Sequence, residues 1–184
     1  MSKNEIINIP EEQWLKLAEK AYDLGYQYEK KYHGCGQCTI AAILDVLDMN
    51  NDAVFNAATG LSGGLGLVGE ATCSALTGAV MSFGLIYPRR RTKFDDDREN
   101  KYRVFSMAQE MQKRYLTKYG SLYCHGVHKK IFGRPYDLRN PDERERFDKA
   151  GAHDNKCTKV VASASKWAVE IIGKEICKDQ DASS

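Results

Sequence analysis

Six cysteines, at positions 35, 38, 73, 124, 157 and 177, are the residues of this sequence best suited to chemistry. A thiolate is both a nucleophile and a soft-metal ligand. Cys35 and Cys38 form Cys-Gly-Gln-Cys, a spacing that serves a metal site or a dithiol–disulfide cycle. Cys38, Cys73, Cys124 and Cys157 each fall within the first turn or so of a predicted helix, with inward-facing residues three and four positions later. Val127 and His128 follow Cys124 in this way, and Val160 and Val161 follow Cys157. A helix N-terminus presents unpaired N–H groups and partial positive charge, both of which favour a thiolate. Four inward thiolates at helix starts, converging on one pocket, would suit an iron–sulfur cluster or a soft transition metal ion. Free cysteine also fills cores, so each residue alone has a bland reading; the shared position is what argues for a site. Cys177, twenty residues beyond Cys157 and so turned roughly 160° around the same helix, is expected at the periphery.

His128 lies four residues after Cys124 and can face the same pocket, as a ligand or as a hydrogen-bonding core residue. His33 and His153 have no local company beyond Cys35 and Cys157. In the glycine-rich stretch over residues 60–69, Gly63, Gly64 and Gly66 are expected to bring backbone N–H groups close to the thiolate site. Gly64-Leu-Gly-Leu-Val-Gly69 also fits the dinucleotide pattern G-x-G-x-x-G. A strand should precede that pattern and an acid should follow about twenty positions later. Here a helical segment precedes it and Arg89, Arg90 and Arg91 follow. Glu70 and Ala71 replace the Lys and Ser/Thr of a P-loop.

The elements that must position these residues read as helices. Apolar periodicity predicts them over residues 10–32, 38–47, 52–58, 70–84, 101–119 and 121–133, with a last helix opening after residue 154 or 155. Residues 88–100, with three arginines and then three aspartates, read as a solvated loop, and residues 134–155 as polar and irregular. The expected fold is all-α, a single-domain helical bundle over residues 1–184 with a glycine-rich loop. Tyr22, Tyr26, Tyr28 and Tyr32 are distributed around the first helix, which points to cover on more than one side and to a homodimer. The 184 residues carry 27 Lys+Arg against 25 Asp+Glu, a net charge of +2, which excludes a dedicated nucleic-acid binder. No apolar run approaches the roughly 20 residues of a membrane span. The first residues form no apolar leader, so a cytoplasmic location is expected, where thiols stay reduced.

The run Gly69-Glu-Ala-Thr-Cys73-Ser-Ala-Leu-Thr-Gly78-Ala-Val-Met81-Ser-Phe-Gly84 resembles the signature of the C-GCAxxG-C-C family of redox-active bacterial proteins, whose central motif reads C-G-A-x-x-G. Gln37-Cys38-Thr-Ile-Ala41 matches the family's upstream cysteine, and Cys124 and Cys157 follow in the family's order. The resemblance spans about residues 12–173. Ser74 stands where the family has glycine, and Cys35 is an addition. The resemblance implies a helical, redox-active protein of anaerobic microbes with an iron–sulfur or other metal site. The leading expectation is therefore a cluster on Cys38, Cys73, Cys124 and Cys157, with Cys35 as an alternate or additional ligand and His128 as the non-cysteine candidate. It would exchange electrons with a redox partner protein or a small-molecule substrate. Two alternatives stay open: a cluster-free thiol–disulfide enzyme using Cys35 and Cys38 with Cys73 as nucleophile, and a zinc or copper(I) module without redox chemistry. No catalytic residue is assigned.

Overall fold

In the computed structural model, which describes residues 6, 8–95 and 98–183, Pro10 occupies the N-cap of α1 (Glu11–Tyr32). Glu11 and Glu12 in the first turn and Lys30 and Lys31 in the last complement the helix dipole. Trp14, Ala18, Ala21, Gly25 and Glu29 recur every three or four residues and form one buried stripe. That stripe lies on α8 (Cys157–Ser183). The two helices run antiparallel: Gln180 bonds the Ile9 carbonyl, Trp14 sits on Gly173, Gly25 meets Ala162 and Ser165, and the Tyr26 hydroxyl donates to the Asp154 carbonyl. The small residues Ala162, Ala164, Ser165 and Ala168 on α8 allow this close approach.

α2 (Cys35–Val46) begins three residues earlier than expected. Gly34, at φ 93°, turns the chain sharply enough for the helix to start at once, and Gly36 lies inside the helix rather than ending it. α3 (Asp52–Ala57) is capped by the Asn51 side chain, which accepts from Val54 N at 3.1 Å. α4 (Ser74–Ile86) starts later than expected, with Cys73 as its N-cap. The delay has a backbone cause. Residues 63, 64, 65, 66 and 67 all carry positive φ between 58° and 70°, a left-handed run that only a glycine-rich sequence sustains. α5 (Arg98–Tyr119) buries Met107, Met111, Tyr115 and Tyr119, one per turn, and is tied to α8 by the Arg103–Asp179 and Arg114–Glu170 ion pairs. α6 (Cys124–Phe132) ends at Gly133, φ 84°.

The stretch after Arg134 is not irregular. It contains α7 (Pro141–Lys149), with Pro141 in the first helical position and the Asn140 side chain accepting from Asp142 N and Glu143 N. Only Phe147 of α7 is buried, so no apolar stripe announces this helix. A π-helical turn, Ala152–Lys156, then leads into α8.

Among the described residues the protein is all-α, its one strand-like feature an isolated antiparallel bridge between Thr72 and Tyr123. No helix among them is long and apolar enough to cross a membrane. Residues 1–5, and Asp96 and Asp97 of the charged loop, lie outside the described residues. Tyr26 and Tyr28 of α1 are both engaged within the chain, Tyr28 through a 2.5 Å bond to Asp45.

Candidate functional site

Four helices begin around one cavity, each with a cysteine at its start. Cys35 is the first residue of α2, Cys73 caps α4, Cys124 is the first residue of α6 and Cys157 the first of α8. All four line a cavity of about 240 Å3. The Thr72–Tyr123 bridge sets two of them side by side. Cys73 N donates to Leu122 O at 2.7 Å, Cys124 N to Ala71 O at 3.0 Å and His125 N to Gly69 O at 2.8 Å, pinning the starts of α4 and α6 together. The left-handed loop packs beneath: a Cβ on Gly64 would stand 2.7 Å from Cys124 Cβ. Val127, Leu138, Phe147, Val160 and Val161 form apolar walls, and His33, Arg144 and Asp148 stand exposed at the rim.

Burial governs the thiols. Cys73 and Cys124 are 4% and 5% exposed, and Cys35 and Cys157 are half-buried on the cavity wall. Loss of solvent raises the pKa of all four, Cys35 to about 12, and the proximity of the other cysteines adds to the rise for each of Cys35, Cys124 and Cys157. The sequence led us to expect thiolates at these helix starts. In the folded chain desolvation outweighs the helix termini and works against the thiolate at each of the four. Some groups act the other way. The Gly63 amide and Ser74 hydroxyl favour a thiolate at Cys35, while the Ala75 and Leu76 amides and the Tyr115 hydroxyl, 3.9 Å away, favour one at Cys73.

Cys124 Sγ lies 3.5 Å from His128 Nε2. His128 is 3% exposed and packs against the rings of Phe132 and Phe147. Burial pulls its pKa down to about 4, so it is a neutral imidazole, and its Nδ1 has no hydrogen-bond partner in the protein.

Glu29, His33, Asp148 and His153 also line the cavity, and sequence reasoning gives none of them a role. Glu29, at 2% exposure, places Oε1 3.6 Å from His153 Nδ1 and leaves Oε2 without a partner. Burial raises its carboxyl to about 8, offset in part by the neighbouring Cys38 thiol, so it is protonated at neutral pH. His153 stacks on His33 with centroids 3.6 Å apart and sets Nε2 3.4 Å from Asp148 Oδ1. The signal for Glu29 was present: it continues the stripe from Gly25 by one more turn, an acid where an apolar residue belongs.

The other candidates are placed as follows. Cys38 is buried and donates to the His33 carbonyl at 3.1 Å, outside the cavity lining. Gly63 lines the cavity. Gly64 N donates to Ser74 Oγ at 3.2 Å, and the exposed Gly66 donates to Gly60 O at 2.8 Å, so both spend their N–H groups within or beside the loop. His125 Nε2 sits 3.2 Å from the Tyr136 carbonyl, and Cys177 lines a separate groove beside Trp14. Among the described residues, no three of His, Cys, Asp and Glu are grouped closely enough to hold a single metal ion.

A family model described as "Putative redox-active protein (C_GCAxxG_C_C)" matches residues 33–171 of the chain. No curated protein and no solved structure matches it.

Proposed function

Because the chain belongs to the C_GCAxxG_C_C family of redox-active proteins, we propose that Cys35, Cys73, Cys124 and Cys157 hold an iron–sulfur cluster and that the protein serves electron transfer. The observation that carries this reading is the meeting of four helix starts, each with a cysteine, at one cavity. The type of donor suits a cluster, though among the described residues no three are grouped as for a single ion: thiols are the ligands such clusters take, and helix N-termini offset the negative charge of a thiolate-bound cluster. His128 and Glu29 line the same cavity, with His128 Nδ1 and Glu29 Oε2 left without a partner in the protein. Relative to the expectation from sequence, Cys35 takes the place of Cys38, whose thiol is already bonded to the His33 carbonyl. A cluster bound there supplies reversible one-electron transfer.

The chain's own residues do the rest. The Gly63 amide stabilises a deprotonated Cys35, and the Ala75 and Leu76 amides with the Tyr115 hydroxyl stabilise a deprotonated Cys73. Val127, Leu138, Val160 and Val161 give the sulfurs apolar walls. Glu29 holds a proton beside them. Tyr115 makes ring contacts with Tyr119 at 5.1 Å and Trp167 at 5.8 Å, joining Cys73 to a surface groove lined by Lys113, Arg114, Lys118 and Lys174. Glu110 lines the same groove and pairs with Arg114 and Lys174, so Lys113 and Lys118 are the cations that would meet a redox partner there.

Purification without oxygen, iron and sulfide analysis, and absorption and paramagnetic-resonance spectra before and after dithionite test the reading. A reducible chromophore with iron and sulfide in fixed ratio to protein is expected. A colourless, metal-free protein overturns it in favour of a dithiol enzyme, and a silent stoichiometric zinc or copper(I) ion in favour of a metal module.

A further inference from the structure

A cluster on Cys35, Cys73, Cys124 and Cys157 leaves one buried thiol unused. Cys38 is 4% exposed and stands one helical turn beyond Cys35, and both sulfurs are free. The pair is asymmetric. Cys35 is half-buried on the cavity wall, whereas Cys38 lies off it, bonded to the His33 carbonyl at 3.1 Å and neighboured by the Glu29 carboxyl. A reagent entering the cavity therefore meets Cys35 first and leaves Cys38 in reserve. The start of α2 makes the two sulfurs joinable. Cys38 N donates to Gly34 O at 3.0 Å, so both cysteines share the first turn. Cα atoms three residues apart in an α-helix stand about 5 Å apart, inside the roughly 4.4–6.8 Å that a disulfide spans. Their Cβ atoms stand about 5–6 Å apart and a disulfide brings them to about 3.5–4.5 Å, so the turn must give by about 1 Å. Cys35 is where it can give: its N–H is among those with no intrahelical acceptor, and Gly34 before it holds a left-handed φ of 93°. Cys73, Cys124 and Cys157 begin three other helices, two of them pinned by the Thr72–Tyr123 bridge.

We infer that Cys35 and Cys38 close a reversible disulfide by exchange with a low-molecular-weight disulfide, with Cys35 as the attacking thiol and Cys38 as the resolving one. The Cys35 thiolate attacks one sulfur of the reagent. The reagent's S–S bond breaks, and its other half leaves as a thiolate that takes up a proton. The Cys38 thiolate then attacks the Cys35 sulfur of the mixed disulfide and expels the second half in the same way. Two protein thiols lose two electrons in all and one reagent disulfide gains them, while the two thiol protons end on the two released thiols. A disulfide sulfur is not a thiolate ligand, so closure and cluster binding exclude each other at Cys35. That consequence rests on the cluster reading; the bond itself does not.

The test uses 2-hydroxyethyl disulfide, small and uncharged, on reduced full-length protein at pH 9 without oxygen, with cysteine pairing mapped by mass spectrometry. In chelator-treated protein, its helical content checked by circular dichroism, one bond joining Cys35 to Cys38 is expected in each chain, reversed by dithiothreitol. In Cys38→Ser, whose hydroxyl keeps the bond to the His33 carbonyl, a mercaptoethanol adduct should instead persist at Cys35. Pairing of Cys35 with any other cysteine, an adduct at Cys35 that persists in the unmutated chain, or no reaction at either thiol overturns the inference. Protein still loaded with iron and sulfide should close the bond severalfold more slowly, and equal rates in loaded and stripped protein overturn the exclusion at Cys35. Iron and sulfide are assayed before the reagent is added. Absence of a cluster therefore removes the cluster reading alone, and the pairing in metal-free protein decides this one.

Discussion

A Cβ placed on Gly78 would stand 2.5 Å from the carbonyl oxygen of Gly36. α2 and α4 thus cross backbone against backbone, one residue after Cys35 and five after Cys73. The closing glycine of the C-x-A-x-x-G segment is therefore a spacing device: it sets how near two of the cavity thiols come to each other.

Gly78→Ala is expected to lower stability by about 1–3 kcal/mol, the usual cost of forcing a methyl group into packed backbone, read as a fall in urea midpoint. Gly84→Ala, in the same helix but with nothing within 4 Å of its added carbon, should instead gain about 0.5–1 kcal/mol. Like behaviour of the two variants would contradict the close crossing.

The pH dependence of stability isolates Glu29. Its carboxyl is raised from 4.5 to about 8, so the unfolded chain loses this proton first. The stability this group contributes is complete below pH 4.5 and drains away as pH rises toward 8. His128 behaves oppositely: lowered from 6.5 to about 4, it contributes fully above 6.5 and loses that contribution as pH falls through 4. Lowered from the same ordinary value, His153 is likewise settled above 6.5. Between pH 6.5 and 8 Glu29 is thus the one of the three still changing. The stability of the metal-free protein, followed as its melting temperature, should fall across that interval by up to about 1.4 kcal/mol per pH unit, and Glu29→Gln should flatten the slope.

Serine replacements of single cysteines separate ligands from structural thiols. Cys35→Ser, Cys73→Ser, Cys124→Ser and Cys157→Ser should each reduce iron retained after anaerobic purification by severalfold. Cys38→Ser should retain it, because a serine hydroxyl can keep the bond to the His33 carbonyl. Retention by Cys35→Ser with loss in Cys38→Ser would reverse that assignment.

How far the site was legible in the sequence depends on where its information resides. The α1 and α5 stripes are local patterns, and so were readable: Trp14 to Gly25 and Met107 to Tyr119 repeat at helical spacing. That Cys35 and not Cys38 lines the cavity is a matter of one helical turn, set by Gly34 at φ 93° and by the crossing of α4, neither of which periodicity reports. α7 escaped because a helix that buries only Phe147 shows no apolar face, although Asn140-Pro141 is a start signal that could have been read. A helix terminus that favours a thiolate is visible in sequence, and the desolvation opposing it is not. Ser74, noted only as a departure from the motif, emerges as a structural tie: its hydroxyl donates to the Leu61 carbonyl and accepts from Gly64 N at 3.2 Å.

That tie gives a last expectation, because the left-handed run at residues 63–67 is costly backbone that something must hold. Ser74 is fully buried, and Ser74→Ala leaves the Gly64 N–H and the Leu61 carbonyl without their partner. An unmet buried group costs about 1–3 kcal/mol, equivalent to roughly a 5- to 150-fold change in a local opening equilibrium. Hydrogen exchange at the Gly64 amide should accelerate by that factor in Ser74→Ala, while amides in the middle of α8 should be little changed. Cys35 reports whether the hydroxyl's one proton also reaches the sulfur: if it turns from the Leu61 carbonyl to Cys35, alkylation of Cys35 by iodoacetamide should slow relative to Cys177 in Ser74→Ala when rates are compared at one pH. Faster exchange without slower alkylation would leave Ser74 as a clamp on the loop and remove it from the thiol site.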